Sequence, residues 1–108
     1  MRKPKYWKIV KIEANDETYY RILSDMGMGS HDWRLSSLIE NIVENEHWYK
    51  AETVSSCYEL RKTDEKLTNV SERIYDMIKC SEDFEVSIVE VQEIINLEKL
   101  FEELTNED

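Results

Sequence analysis

The sequence is poor in residues that break or staple a chain: two glycines, one proline and two cysteines among 108 residues. So little Gly and Pro argues against a disordered or low-complexity protein. Cys57 and Cys80 are too few for a disulfide framework and read as reduced thiols of a cytoplasmic protein. There is no apolar run long enough for a transmembrane helix. The start, Met1-Arg2-Lys3-Pro4-Lys5, is basic, but no apolar stretch follows it, which speaks against an ordinary secretory signal. The Asn69-Val70-Ser71 sequon is then expected to be inert. No internal repeat, linker or low-complexity tract is present.

What is present suits one small domain spanning residues 1–108. Hydrophobic residues make up 41% of the chain and aromatics 10%, enough for one modest core. The net charge is −10 and unevenly placed. Residues 1–12 hold Arg2, Lys3, Lys5, Lys8 and Lys11 and no acid, a local +5. Residues 80–108 hold ten acids and only Lys99, a local −9. Such asymmetry gives a directed surface potential, although acids also serve solubility alone. Phosphate would be repelled by the acidic half, so direct nucleic-acid binding is not expected. The basic start is too short for a DNA-binding arm.

Local patterns give an order of elements. Residues 5–12 and 18–24 are rich in β-branched and aromatic types and read as a hairpin around Asn15-Asp16-Glu17. Residues 25–32 are the only Gly-bearing stretch and read as a loop. Residues 33–44 allow two readings. Leu35, Leu38, Ile39, Ile42 and Val43 have helical spacing, yet Glu44-Asn45-Glu46 before His47-Trp48-Tyr49 looks like a turn into a return strand. Residues 47–53 and 56–61 read as strands, with a bulge or break at Ser55-Ser56. A helix is expected over about 63–80. Thr63 or Asp64 would cap it, Leu67, Val70, Ile74, Met77 and Ile78 would form its apolar face, and Lys79 would sit near its end. Residues 84–91 alternate as a strand, and Asn96 would cap a last helix bearing Leu97, Leu100, Phe101 and Leu104. The expected fold is α+β: one antiparallel sheet of about four to five strands, with both helices packed on one face.

Chemical motifs are sparse. Gly27-Met28-Gly29 lacks the length and the lysine of a phosphate loop. His31, His47, Cys57 and Cys80 are the good soft-metal ligands, but their intervals of 16, 10 and 23 do not match paired zinc-ligand spacing. His31-Asp32 are sequence neighbours, which on a strand point apart and make no nucleophile–base pair. No catalytic residue, metal or cofactor is therefore expected. Adjacent aromatics, Tyr6-Trp7, Tyr19-Tyr20 and Trp48-Tyr49, should place one ring in the core and one on the outer face. The outer rings would form a binding stripe or pack under other elements.

The segment Thr18-Tyr19-Tyr20-Arg21-Ile22-Leu23-Ser24, with Ser30-His31-Asp32-Trp33-Arg34-Leu35-Ser36-Ser37 after it, resembles one found in small tailed-bacteriophage proteins of unassigned function. Those carry a YYR strand, a Gly-rich loop and a DSWR(L/M)(N/S)S stretch, then an aromatic-rich strand and a Y-x-C/Y hairpin strand. Trp48-Tyr49 and Cys57-Tyr58 stand at suitable distances. The likeness spans about half the chain. It departs from the pattern in having fewer loop glycines and Leu38 where Gly is more usual. The resemblance implies that residues 33–37 run into a β-meander, which favours strand for 38–44. It also implies a phage or mobile-element origin, without a chemistry.

These readings converge on a small accessory protein that binds and blocks a host protein with a basic surface, a nucleic-acid-handling defence system of the anti-CRISPR or anti-restriction kind. It would work in the host cytoplasm, as monomer or homodimer, without touching membrane or nucleic acid. Carboxylates pair with Arg and Lys much as phosphates do. The residues expected to carry the charge are Asp83, Glu90, Glu98, Glu102 and Glu103, with Met28, His31, Trp33 and Arg34 as anchors. An immunity protein or antitoxin would use the same physics. A small enzyme or ligand-binding domain would instead need a deep pocket around residues 27–32, lined by His31, Asp32 and tyrosines.

Overall fold

The computed structural model describes residues 1–26 and 32–97. The fold is mixed α+β, and it holds two antiparallel sheets rather than one. The first has four strands, β1 (Tyr6–Ala14), β2 (Glu17–Asp25), β3 (Trp33–Leu35) and β7 (Glu85–Val89), in the order β3-β2-β1-β7. The second has three, β4 (Ile39–Glu44), β5 (Trp48–Thr53) and β6 (Cys57–Arg61), in sequence order. One α-helix, α1 (Asn69–Lys79), precedes β7, and residues 91–97 are helical after it.

The hairpin β1-β2 follows from its turn. Asn15 and Asp16 adopt positive φ of 52° and 66°. Both central positions of a type I′ loop need that geometry, and its twist matches the flanking strands. Pairing then runs unbroken from Ala14↔Glu17 to Tyr6↔Asp25. Of the segment 38–44, Ile39–Glu44 is strand rather than helix, and the Ser55-Ser56 break is the turn between β5 and β6, where the Thr53 amide donates to the Ser56 carbonyl at 2.8 Å.

The reason for two sheets lies in β1 and β2. The register puts Trp7, Ile9 and Ile22 on one face and Val10, Ile12 and Leu23 on the other. A sheet apolar on both faces must be covered on both. The chain achieves this by leaving the first sheet after β3. Ser36 Oγ accepts the Ile22 amide at 2.8 Å and donates to the Ser37 carbonyl at 2.7 Å, holding the exit. The three-stranded sheet then covers the Trp7 face. Trp7, Ile9, Ile22, Ile42, Ala51, Tyr58, Leu60, Val91 and Ile94 form its buried cluster. Helix α1 covers the opposite face through Ile74 and Ile78, with Leu67 just before it, against Val10, Leu23 and Val86. The helical residues 91–97 lie on the Trp7 face through Val91 and Ile94, opposite α1; Leu100, Phe101 and Leu104 of the expected last helix lie outside the described residues.

Three boundaries also differ from the sequence reading. Residues 62–64 form only one 3-10 turn, and α1 starts at Asn69 rather than near 63. Between them, Glu65 bridges to Trp7 on the edge of β1, which forbids helical geometry there. Thr68 is the true cap: its Oγ1 accepts the Ser71 amide at 3.2 Å while Ser71 Oγ accepts the Thr68 amide at 2.8 Å. This is a reciprocal capping box with Ser in place of the usual Glu. The expected strand 84–91 ends at Val89, and Val91 is already helical. Asn96 lies within the helical residues and caps nothing; its Oδ1 accepts from Gln92 one turn earlier, at 3.0 Å. Of the expected α1 face, Met77 is 72% exposed, because the stripe turns away from the sheet there.

Candidate functional site

Of the nine residues expected to bind a partner, Met28, His31, Glu98, Glu102 and Glu103 lie outside the described residues. The other four do not converge. Asp83 and Glu90 are exposed at the two ends of β7, one edge of the four-stranded sheet. Trp33 and Arg34 belong to β3 at the other edge. Trp33 is half-buried against α1, while Arg34 is exposed and pairs with Asp32 at 3.4 Å.

Asp83 instead joins acids that sequence position kept apart. The tip of the β1-β2 hairpin and the α1-β7 loop form one open cleft lined by Glu13, Asp16, Glu17, Glu82, Asp83 and Glu85. All six carboxylates are on exposed residues, and no Lys or Arg lines the cleft. The register explains the meeting: Glu13 pairs directly opposite Glu85 across β1 and β7. Like charges placed opposite one another in a sheet are unfavourable. Lys11, one step in from the rim, relieves part of this by pairing with Glu13 at 3.3 Å and Glu93 at 3.9 Å. The hydrogen bond that Lys11 donates to Glu13, then the charge of Glu93, raises the Lys11 pKa. Beside it Tyr20 donates to Glu93 at 3.3 Å; burial first, then the Glu93 charge, pushes its phenol up.

The basic start of the chain is used internally. Arg2 bridges to β6 through its backbone, Lys8 pairs with Glu65 at 3.6 Å, and Lys11 is engaged as above. Lys5 and Lys66 lie over the Tyr6 ring at 5.7 and 4.2 Å. No ring of an adjacent aromatic pair is fully exposed. Trp7 is buried, and Tyr6, Tyr19, Tyr20, Trp48 and Tyr49 are half-buried. Of these rings, Trp7, Tyr20 and Tyr49 pack in or against the core between the two sheets. Trp7 shows how: its indole donates to the Arg61 carbonyl at 2.8 Å and meets Tyr49 edge-on at 6.0 Å.

Among the described residues, no group of three or more His, Cys, Asp or Glu side chains could hold a metal ion. Cys57 is half-buried and Cys80 exposed, and both are free thiols. No helix among the described residues is long and apolar enough to cross a membrane. The arrangement at the hairpin tip is an acidic surface that can hold cationic groups at its rim.

Comparison with family models, curated proteins and solved structures returns no match for this chain. The site must be read from its own geometry.

Proposed function

We propose that this protein acts by binding, presenting the acidic hairpin end to a basic surface on another protein. The observation that supports this most is the Glu13–Glu85 opposition within a six-carboxylate cleft. Opposed like charges cost stability, so their placement at one open end fits a surface selected for its potential. Carboxylates spaced along a rim offer acceptors to Arg and Lys in the manner of a phosphate array. The partner is then a protein that handles nucleic acid, and occupying its basic groove inhibits it. In a phage or mobile-element setting, this is an inhibitor of a host defence system of the anti-CRISPR or anti-restriction kind.

The test is capture of partners from host lysate by tagged protein at low and high salt, with a variant carrying Glu17→Lys, Glu82→Lys, Asp83→Lys and Glu85→Lys. All four positions are exposed, so the fold should survive. One dominant basic, nucleic-acid-handling partner, lost at high salt and lost to the variant, is the expected result. A partner that the variant retains at full affinity would refute the acidic cleft as the contact surface.

A further inference from the structure

A second surface has the opposite character. Between edge strand β3 and helix α1 runs a groove of about 500 Å³, lined by Trp33, Leu35, Ile74, Met77 and Ile78, with Arg21 and Arg34. Its walls are apolar, and Met77 stands 72% exposed on its rim. Arg21 projects from β2 on the face that carries Leu23, beneath α1. Its Nε is buried and has no hydrogen-bond partner. Among the described residues no carboxylate pairs with its guanidinium. Buried donors are normally satisfied, and each exception asks for an explanation. Arg34 differs, since its guanidinium already pairs with Asp32 at 3.4 Å and donates to the Trp33 carbonyl at 3.0 Å.

We infer that this groove is a docking site for a peptide segment of another protein in which a large apolar side chain stands next to Asp or Glu. The apolar side chain covers Trp33, Leu35, Ile74 and Met77, and the carboxylate pairs with the Arg21 guanidinium where it lines the groove. Charge complementarity selects this occupant. A basic peptide would be repelled by Arg21 and Arg34, and a purely apolar one would leave the guanidinium unpaired. The groove shares no lining residue with the acidic cleft, so the inference stands independently of the inhibitor reading.

The experiment uses the full chain and an array of eight-residue peptides in which Leu, Ile, Phe or Trp neighbours Asp or Glu. Matched peptides carry Asn, Gln or Lys at the acidic position, and a single-stranded oligonucleotide serves as a phosphate probe. Acidic members are expected to bind and to shift the Trp33 emission. Arg21→Gln should weaken them about tenfold or more, the usual scale for a charge-assisted hydrogen bond. Met77→Glu, at an exposed position that does not threaten the fold, should abolish binding. The four-Lys variant of the acidic cleft should bind the same peptides unchanged. The inference is overturned if no acidic member binds the folded protein, if Asn, Gln or Lys versions bind equally well, if the oligonucleotide is preferred, or if binding survives both Arg21→Gln and Met77→Glu.

Discussion

The two faces of the four-stranded sheet are built from the same strands and end up very different. The face under the three-stranded sheet carries a cluster of nine buried residues, with Trp7, Ile9, Ile22, Ala51 and Leu60 wholly excluded from solvent. Among the described residues, the face under α1 has three buried apolar residues, Val10, Leu23 and Val86, ringed by half-buried neighbours. A sheet covers its partner sheet broadly, whereas one three-turn helix leaves margins uncovered. The tight face is where stability resides, and the loose face is where a groove with an unsatisfied arginine can persist.

Substitutions should break or sharpen that contrast. The largest effect is expected for Trp7→Ala, which removes a fully buried ring, its edge contact with Tyr49 and the bond to the Arg61 carbonyl. A loss of about 3–5 kcal/mol is expected in denaturant unfolding. Ile74→Ala on the half-buried helix side should cost clearly less, about 1–2 kcal/mol. Equal costs would show that the two faces are one cooperative core and erase the distinction.

A smaller effect, about 1 kcal/mol, is expected for Thr68→Ala, which removes the cap that starts α1. Hydrogen exchange should report it as faster opening of α1 amides, with those of β5 and β6 unchanged. Uniform acceleration would mean that the helix does not open as a unit of its own.

The smallest effect is a pH-dependent one at Glu65, between the two faces. Burial, opposed by the Lys8 charge, raises its carboxyl above the ordinary range. An acid with a raised pKa in the folded state binds its proton more tightly there than in the unfolded chain, so stability falls as pH rises from the ordinary carboxylate range through the raised value. Glu65→Gln should therefore match the wild type in acid and become the more stable of the two as pH climbs towards neutrality. A difference that is constant across that window, or opposite in sign, would show that the Lys8 pair outweighs the burial.

Much of this architecture is visible in the sequence, for identifiable reasons. The hairpin turn is local chemistry, since Asn15 and Asp16 tolerate positive φ. The strands of the meander announce themselves by aromatic and β-branched content. The division into two sheets does not, because residues that form a strand do not say which strand they will pair with. Yet the apolar residues on both faces of β1 and β2 already demand two covering layers. The start of α1 was hidden because Thr63, Asp64 and Thr68 are equally good caps, and only the Glu65 bridge to Trp7 excludes the first two. The acidic cleft was half legible. Asp83 belongs to the acid-rich stretch, whereas Glu13, Asp16 and Glu17 follow a segment read as basic and join it only through the β1-β7 register. Arg21 was read as part of a strand motif, and nothing local marks it as lacking an acceptor.

The backbone of Arg2 closes one side of the three-stranded sheet. Its amide donates to the Cys57 carbonyl and its carbonyl accepts the Glu59 amide, both at 2.8 Å, and Pro4 is buried just behind it. A single residue thereby acts as a blocking strand over the first half of β6. Without it, β6 would present free backbone groups along an open margin, the template on which β proteins add one another and aggregate. The first residues of the chain thus work as a guard against self-assembly.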